Sequence, residues 1–521
     1  MNGTATTKNE LINKENIQIK NKLISNTFYL FFDWFAVTVT GFFYWLVAGK
    51  LLLPEDYGIV STAINFALIL SGLSLLGMHA AIWKLVPEYL ARGQKIKINS
   101  LIKFSFVSVL ISNTVVLFII LSFSRFLSPL LKMPPVALLM SGLVLFSYAI
   151  VLLFRYVIYG FQNMRVLTVT DFIGQSIKVF VSPILILLGF KYLGPLAGFL
   201  LGSISIILLR IKYIPLRNGV EKINKKFIFF NYALPALITM VAWLIFFNGQ
   251  YVLLSVLKNP QVTGIYTVAM TLSSVLAVVP TTLNSALLPI TSQLSIRENT
   301  KKKQSRLIEL IFRYGLLITL PLGILLIVFS ETAVLLFSRV EYIEASRFIP
   351  LLVLGSIAHG IGSIFLENIY AIGKTKVYRN IMVVVSAVFL MLAFPLIYLF
   401  SAFGSALAYV ITTLLWASLS FLYIRKVLGF KPPLADIGKL LISISIFFVF
   451  LNVVTSFSQN ILFKGGLTCV GVLLYLIVLI TLRFFSKDDI RICDSIVRKS
   501  PVLNRQIVKL WDFLLRFLSK S

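Results

Sequence analysis

Four polar residues recur at helical spacing inside one long apolar stretch of the chain. Asp171, Gln175, Lys178 and Ser182 follow the spacing i, i+4, i+7, i+11, which places them on one face of a helix. Lys178 lies about ten residues into the stretch, roughly 15 Å along the helix axis. Its ammonium group is therefore too deep to reach the headgroups easily. We predict that Lys178 contacts an anion or water in a cavity, with Gln175 beside it; the alternative is a structural ion pair with Asp33 or Asp171.

Hydroxyl and amide side chains form a second candidate lining on two other apolar stretches. Thr267, Thr271 and Ser274 share one helical face, and an equivalent face earlier in the chain carries Asn65 and His79. Polar side chains inside a membrane helix are costly unless they meet water, a ligand or each other. We predict that both faces line a shared cavity; the alternative is helix–helix packing through small and hydroxyl residues.

Charged residues near the predicted cytoplasmic ends of the apolar stretches are candidates for a gate or for ion coupling. They are Asp33, Arg155, Asp171 and Glu367. Arg155 and Glu367 occupy nearly equivalent places in the two halves of the chain and have opposite charges. An ion pair between them would close a central cleft on its inner side, whereas the simpler interpretation is that both charges extend to the membrane interface.

The elements that position these residues must be membrane helices. Apolar residues form 58% of the chain, charged residues 13%, and the mean hydropathy is +0.94. A soluble protein could not bury so much apolar surface, and about fourteen apolar stretches are long enough to cross a bilayer. The sequence therefore predicts an all-α multi-pass membrane protein.

The membrane-spanning part of the chain is a tandem repeat. PEDYGIVSTA at 54–63 matches PQVTGIYTVA at 260–269, YGFQNMRV at 159–166 matches YAIGKTKV at 370–377, and Gly194 matches Gly404. The offsets of 206, 211 and 210 are nearly constant. Because about six spans fall in each half, both halves begin on the same side of the membrane, which predicts two parallel lobes.

The pattern of spans and charges predicts six segments. They are a cytoplasmic N-terminal tail (1–27), an N-terminal lobe of spans 1–6 (28–213), a cytoplasmic linker (214–228), a C-terminal lobe of spans 7–12 (229–424), spans 13 and 14 (425–485) and a cytoplasmic tail (486–521). Apolar residues in that last tail recur at helical spacing between basic residues. This favours an amphipathic helix lying on the inner leaflet, with a surface for a cytoplasmic partner as the alternative.

The net charge of +29 follows the positive-inside rule and does not indicate nucleic-acid binding. Lys and Arg concentrate in the alternate segments that share one side of the membrane, which places both termini in the cytoplasm of a plasma or inner membrane. We expect the basic loops to contact anionic lipids.

The sequence has no signature of an enzyme. It contains no P-loop, HExxH motif, nucleophile elbow or paired outer-loop carboxylates. Cys469 and Cys493 belong to no metal motif. We expect no catalytic residue, metal or cofactor, so active transport would depend on an ion gradient, the membrane potential or a substrate gradient.

Several segments resemble a known transporter family over residues 25–425. They are AGKLLLPEDYGIVSTA, PEYLARGQKIK, VTGIYTVAMTLSSVLAVVPTTLNSALLP and AIGKTKVYRN. They are similar to the polysaccharide biosynthesis (O-antigen flippase-like) branch of the multidrug/oligosaccharidyl-lipid/polysaccharide (MOP) exporter superfamily. The resemblance implies about fourteen helices, two six-helix lobes in a V, two further C-terminal helices and alternating access around a central cavity.

The resemblance also implies a function, which is to flip a polyprenyl-(pyro)phosphate-linked oligosaccharide from the inner to the outer leaflet for surface glycan assembly. Such a substrate needs a cation for the pyrophosphate, as Lys178 and Arg155 could supply, and polar groups for the sugar. Thr267, Thr271, Asn65 and Gln175 fit the sugar. Asp33-Trp34-Phe35 stands where relatives that flip the peptidoglycan precursor have an arginine-rich segment, which disfavours that substrate.

Three other functions remain open. The first is a cation-coupled exporter of small molecules or drugs, which would depend on buried carboxylates such as Asp33 more than on Lys178. The second is a scaffold that recruits glycosyltransferases through its basic inner surface, and the third, least favoured, is a membrane glycosyltransferase. Glycosyltransferases or a polymerase are also the candidate partners of a flippase.

Overall fold

The computed structural model describes residues 26, 28–29, 32–215, 219, 221–295, 300–457 and 461–485. These residues form helices joined by short turns and contain no β-strand. The N-terminal tail (1–27, apart from residue 26) and the cytoplasmic tail (486–521) lie outside the described residues. The amphipathic helix expected in the second of these tails therefore stays a prediction.

The helices follow one another closely along the chain. The first half contains α1 (Phe32–Leu51), α2 (Pro54–Ser74), α3 (Met78–Ala91), α4 (Lys95–Ser122), α5 (Ser124–Leu130), α6 (Pro135–Gly160), α7 (Met164–Leu185) and α8 (Leu193–Ile211). The second half contains α9 (Lys225–Ile228), α10 (Leu234–Leu257), α11 (Pro260–Ser295), α12 (Lys301–Val328), α13 (Ser330–Phe337), α14 (Ile349–Ala371) and α15 (Thr375–Leu428). Two further helices follow, α16 (Leu434–Phe457) and α17 (Ile461–Thr481). A π-helical turn extends α7, another joins α9 to α10, and a 3₁₀ helix (Val340–Arg347) precedes α14.

Twelve helices of the described residues are long and apolar enough to cross a membrane, and Gly465–Thr481 is a shorter apolar helix. This confirms the prediction of an all-α multi-pass fold. The helix α15 has 54 residues. A straight helix of that length would measure about 80 Å, far more than the ~30 Å hydrocarbon core of a bilayer.

The length of α15 is explained by a break at Ser401, which has φ 57° and ψ −134°. The backbone folds back so tightly there that a Cβ added to Gly404 would lie 1.9 Å from the carbonyl oxygen of Leu396. The helix is therefore a hairpin whose two arms, on either side of Ser401, are each long enough to cross a bilayer. The total of fourteen spans stays a prediction.

The helices pack as two lobes. In the N-terminal lobe, α8 packs against α6 and α7, and in the C-terminal lobe α14 packs against α11 and α15. The helix α2 also packs along α10 and α11, so it forms much of the contact between the lobes. The helices α16 and α17 pack on each other, and α16 also packs on α12. We call the ends of α2 and α11 at Pro54 and Pro260 the outer ends and the opposite ends the inner ends, following the predicted orientation.

Large apolar side chains cover the outside of the bundle. Examples with more than two thirds of their surface exposed are Phe118, Phe180, Leu187, Leu208 and Met391. Lipid chains solvate such side chains, whereas water would not, so this surface is the one that a membrane protein requires.

Candidate functional site

The polar face of α7 points into the N-terminal lobe, as its spacing predicts. Asp171 and Lys178 are 3% and 8% exposed, whereas Phe180 on the opposite face is 69% exposed. The helix buries its polar face because other charged groups of the lobe meet it there, and because its apolar face is solvated by lipid.

A cluster of four charged residues occupies this interior, and each comes from a different helix. The Arg155 guanidinium donates to Asp171 Oδ2 at 2.6 Å and also pairs with Asp33. Arg210 Nη2 lies 2.7 Å from the other oxygen of Asp171. We call Asp33, Arg155, Asp171 and Arg210 the N-lobe charge cluster. Its two carboxylates and two guanidinium groups balance one another.

Arg210 is a member of this cluster that sequence reasoning missed. Its side chain is fully buried, and its Nε and Nη1 donate to Thr170 Oγ1 at 2.9 Å and to the Val151 carbonyl at 3.2 Å. It lies in the last turn of α8, where the positive-inside rule already accounts for an arginine. A basic residue at a cytoplasmic helix end needs no carboxylate partner when it extends to the interface. Nothing in the sequence indicates that Arg210 instead points into the lobe, where it does need one.

Lys178 stands apart from the charge cluster. Its Nζ lies 4.6 Å from the centre of the Tyr44 ring and 4.9 Å from that of Phe199. Among the described residues, no carboxylate lies within 4 Å of Nζ, because Asp33 and Asp171 pair with arginines instead. The alternative interpretation, a structural ion pair of Lys178 with either aspartate, is therefore not realised in this structure.

Two buried acceptor atoms also belong to this lobe. Gln175 Oε1 and Asp33 Oδ1 are buried and accept no hydrogen bond from the residues that the structure describes. Buried acceptors usually have a partner, so these atoms have capacity for donors of a ligand or of water. Among the residues that the structure describes, the interior of the N-terminal lobe thus combines the cation Lys178, which has no anionic partner, with two acceptor atoms that have no donor.

The two faces predicted to line a cavity meet directly near the outer ends. Thr267 Oγ1 donates to Ser61 Oγ across the lobes at 2.8 Å, and Asn65 Nδ2 donates to the Ser61 carbonyl at 2.7 Å. Near the outer ends, the two faces therefore pack against each other, as the packing alternative predicts. Thr271 and Ser274 lie further along α11 and are only partly buried, and Ser274 Oγ donates to the Thr271 carbonyl at 2.9 Å.

Repeat-related glycines bring the outer ends of α2 and α11 into contact. A Cβ added to Gly58 would lie 1.7 Å from the Pro260 carbonyl oxygen, and one added to Gly264 would lie 2.0 Å from the Pro54 carbonyl oxygen. No side chain fits at either position, so this near-symmetrical approach requires glycine. Both glycines belong to the repeated motif found in the sequence.

Further contacts between the lobes close the outer side. Lys50 Nζ donates to the carbonyls of Leu335 at 3.0 Å and Ser338 at 2.9 Å, at the end of α13. Tyr342 donates its hydroxyl to the Leu52 carbonyl at 3.1 Å. Together with the glycine contact, these bonds form what we call the outer closure.

The predicted gate pair is not formed in this structure. Arg155 is held within the N-lobe charge cluster, and Glu367 accepts a hydrogen bond from Asn284 Nδ2 at 2.5 Å within its own lobe. Asn368 Nδ2 in turn donates to Asn284 Oδ1 at 2.8 Å. The gate role of Arg155 and Glu367 thus stays a prediction, and each residue has a partner inside its lobe.

His79 lies away from the contact between Ser61 and Thr267, beyond the kink that follows α2. It is 9% exposed, and its ring centroid is 4.9 Å from that of Tyr156. Its Nδ1 has no hydrogen-bond partner among the described residues. His79 therefore belongs with the aromatic residues at the inner ends of the helices.

Comparison with known proteins assigns the chain to a family. The profile of the family described as "Polysaccharide biosynthesis protein" matches residues 23–295, more than half of the chain. The chain belongs to this family. An uncharacterized membrane protein of Methanocaldococcus jannaschii is 23% identical over 376 residues, which cover 68% of this chain and 74% of that protein.

Two solved structures similar to this polysaccharide biosynthesis protein are those of a flippase and a transporter. The lipid II flippase MurJ in an inward closed conformation has a TM-score of 0.70 and 19% identity, and the match covers 87% of this chain and 99% of MurJ. An inward-facing multidrug resistance MATE family transporter of the MOP superfamily has a TM-score of 0.63 and 13% identity, covering 75% of this chain and 94% of that one. These likenesses confirm the all-α multi-pass fold of the MurJ and MATE type.

Proposed function

We propose that this protein flips a polyprenyl-(pyro)phosphate-linked oligosaccharide from the inner to the outer leaflet by alternating access, for assembly of a cell-surface polysaccharide or glycan. The observation that carries this proposal is the buried ammonium of Lys178, which has no anionic partner among the described residues. Membership of the polysaccharide biosynthesis family supports the same substrate class.

An anionic headgroup is the partner that Lys178 lacks. Removing an ammonium group from water costs free energy, and the Tyr44 and Phe199 rings compensate only part of it. A (pyro)phosphate supplies both the opposite charge and several acceptor oxygens. The headgroup would therefore bind where the cation is already in place.

The remaining parts of such a substrate have matching groups. Gln175 and Asn65, with the partly buried Thr271 and Ser274, offer amides and hydroxyls to a sugar. The lipid chain would stay in the bilayer along the apolar outside of the bundle. MurJ, whose fold this chain shares, is named as a flippase of lipid II, and that likeness supports a lipid-linked glycan as the substrate class here.

The alternative, a cation-coupled exporter of small molecules, would need an exchangeable carboxylate. Asp33 and Asp171 already pair with Arg155 and Arg210, so a cation could bind them only by displacing a guanidinium group. Glu367 has the neutral partner Asn284 and is better placed to exchange a proton or a cation. We therefore assign any ion coupling to the C-terminal lobe.

The proposal includes a cell-membrane location with both termini in the cytoplasm. Glycosyltransferases or a polymerase are the proposed partners, because they would supply the lipid-linked glycan and use it after flipping. The basic inner loops would contact anionic lipids.

Lipid analysis of cells lacking the protein tests this function. We expect one polyprenyl-linked glycan to accumulate, and a membrane-impermeant reagent to leave it unmodified because it stays on the inner leaflet. Mass spectrometry of the treated and untreated lipids would measure both quantities and identify the sugar. An unchanged lipid pool, in cells that make such glycans and have no second flippase, would support small-molecule export.

A further inference from the structure

Aromatic side chains join the inner ends of the two lobes. The rings of Trp83, from α3, and Tyr370, at the end of α14, stack with centroids 6.3 Å and planes 10° apart. Tyr156 and Tyr159, near the end of α6, each have a ring centroid 6.4 Å from that of Trp83. The ring of Tyr378 lies 5.5 Å from that of Tyr370. We call these five residues the inner aromatic cluster.

The cluster is not a buried core. Trp83 is 44% exposed and Tyr370 is 39% exposed, although each ring faces the opposite lobe. The rings of Trp83 and Tyr370 therefore have exposed aromatic surface to offer a ligand.

An aromatic belt at the membrane interface is the other common reason for Trp and Tyr at helix ends. Belt residues direct their rings toward headgroups and do not need to contact each other across lobes. Here Trp83 contacts tyrosines of both lobes, and two of those tyrosines, Tyr159 and Tyr370, occupy equivalent repeat positions. The contacts place the cluster at the cleft between the lobes.

We propose that the inner aromatic cluster is a carbohydrate-stacking site, where a pyranose ring of the substrate lies against Trp83 and Tyr370. This inference rests on the proposed function and adds the place where the sugar binds. One face of a pyranose ring presents C–H groups that pack on an aromatic face, while its hydroxyls lie at the ring edge. Tyr and Trp combine an apolar ring with a polar tip, so they match both features.

Entry of a sugar requires the lobes to move. Trp83 and Tyr370 are in contact in this structure, so a pyranose ring can lie between them only after they separate. Arg155 is 25% exposed, with its guanidinium carbon 6.0 Å from the centre of the Tyr159 ring. A sugar at the cluster would therefore lie beside a cation of the N-lobe charge cluster.

Binding of two matched lipids to the purified full-length protein tests this site. The probes are undecaprenyl pyrophosphate and the same lipid carrying a single N-acetylglucosamine. We expect the wild-type protein to bind the sugar-bearing probe about fivefold more tightly, a difference typical of one aromatic contact. Trp83→Ala should bind both probes equally, and Trp83→Phe should keep part of the difference.

Trp243→Ala is the matched control, because Trp243 is 42% exposed and contacts Phe247 outside the cluster. This variant should keep the full difference in affinity between the two probes. Equal affinity of the wild-type protein for both probes would overturn the stacking site and leave the proposed function standing. Binding of neither probe would overturn both. If Trp83→Ala weakened the binding of both probes by the same factor, Trp83 would have a structural role, and this would also overturn the site.

Discussion

Lys178 lies over the ring of Tyr44, with its Nζ 4.6 Å from the ring centre and no carboxylate among the described residues within 4 Å. Tyr44 is itself fixed, because its hydroxyl donates to the Pro195 carbonyl at 3.0 Å. A cation held by ring faces gains about 2 kcal/mol or more in a desolvated site, but the rings cannot make the charge-assisted hydrogen bonds that a phosphate offers. An anionic headgroup would therefore displace little when it binds.

Removing the charge of Lys178 should abolish most transport. We expect Lys178→Met to reduce flipping about thirtyfold, the value of one charge-assisted hydrogen bond, and Lys178→Arg to keep most of it. The measurement is the rate at which a labelled polyprenyl pyrophosphate reaches the opposite leaflet of proteoliposomes. Lys212→Met is the control, because Lys212 also lies over a tyrosine ring, at 5.1 Å, but is exposed. Wild-type rates in Lys178→Met would contradict the anion site.

Adding a methyl group at the glycine contact should open the outer side. A Cβ at Gly58 would lie 1.7 Å from the Pro260 carbonyl oxygen, so Gly58→Ala cannot keep the outer closure unchanged. We expect Gly58→Ala to raise the population of the outward-open state about tenfold. A cysteine introduced by Ser61→Cys should then react about tenfold faster with a membrane-impermeant maleimide added from outside.

The control for this experiment is Gly41→Ala, because nothing lies within 4 Å of a Cβ at Gly41. Cys469 and Cys493 would be replaced by serine in every variant to remove their background reaction. Equally slow labelling of Gly58→Ala and Gly41→Ala would show that the outer side does not open through this contact.

A disulfide across the outer closure should stop transport reversibly. Ser61 Oγ and Thr267 Oγ1 are 2.8 Å apart, so cysteines at the two positions are close enough to form a disulfide. Alternating access predicts that the oxidised double variant does not flip lipid and that reduction restores the rate. The single Ser61→Cys variant under the same oxidant provides the control. Full transport by the cross-linked protein would mean that the outer closure never has to open.

Arg210 should be important for stability. It is fully buried and pairs with Asp171 at 2.7 Å, so Arg210→Met leaves a carboxylate short of one partner inside the lobe. Breaking a buried pair from one side costs about 3 kcal/mol, and we expect a clear fall in the thermal unfolding temperature in detergent. Arg339→Met removes an exposed pair with Glu341 and should leave the unfolding temperature unchanged. Equal temperatures for both variants would contradict the structural role of the N-lobe charge cluster.

Features that depend on periodicity could be predicted from the sequence. The spacing of Asp171, Gln175 and Lys178 predicts the buried face of α7, because residues on one helix face must share one environment. The repeated Pro-x-x-x-Gly motif identifies α2 and α11 as equivalent helices, and the structure shows these two helices in contact at Gly58 and Gly264.

Partners that depend on the arrangement of the helices could not be predicted. Arg155 and Glu367 have opposite charges and nearly equivalent repeat positions, which suggests a pair, yet each finds its partner within its own lobe. Sequence spacing fixes which face of a helix a residue occupies, but not which neighbouring helix packs on that face. Arg210 was missed for the same reason, since its partner Asp171 comes from another helix.

The most direct test of the central claim is leaflet exchange by the purified protein in liposomes. The substrate would be a fluorescent polyprenyl-pyrophosphate-linked oligosaccharide that starts on one leaflet, and a membrane-impermeant quencher would report its arrival on the other. We expect the wild-type protein to move the lipid to the opposite leaflet and Lys178→Met to move it about thirtyfold more slowly. A wild-type protein that leaves this lipid in place but releases a small cationic dye from the same liposomes would contradict the flippase function and identify an exporter.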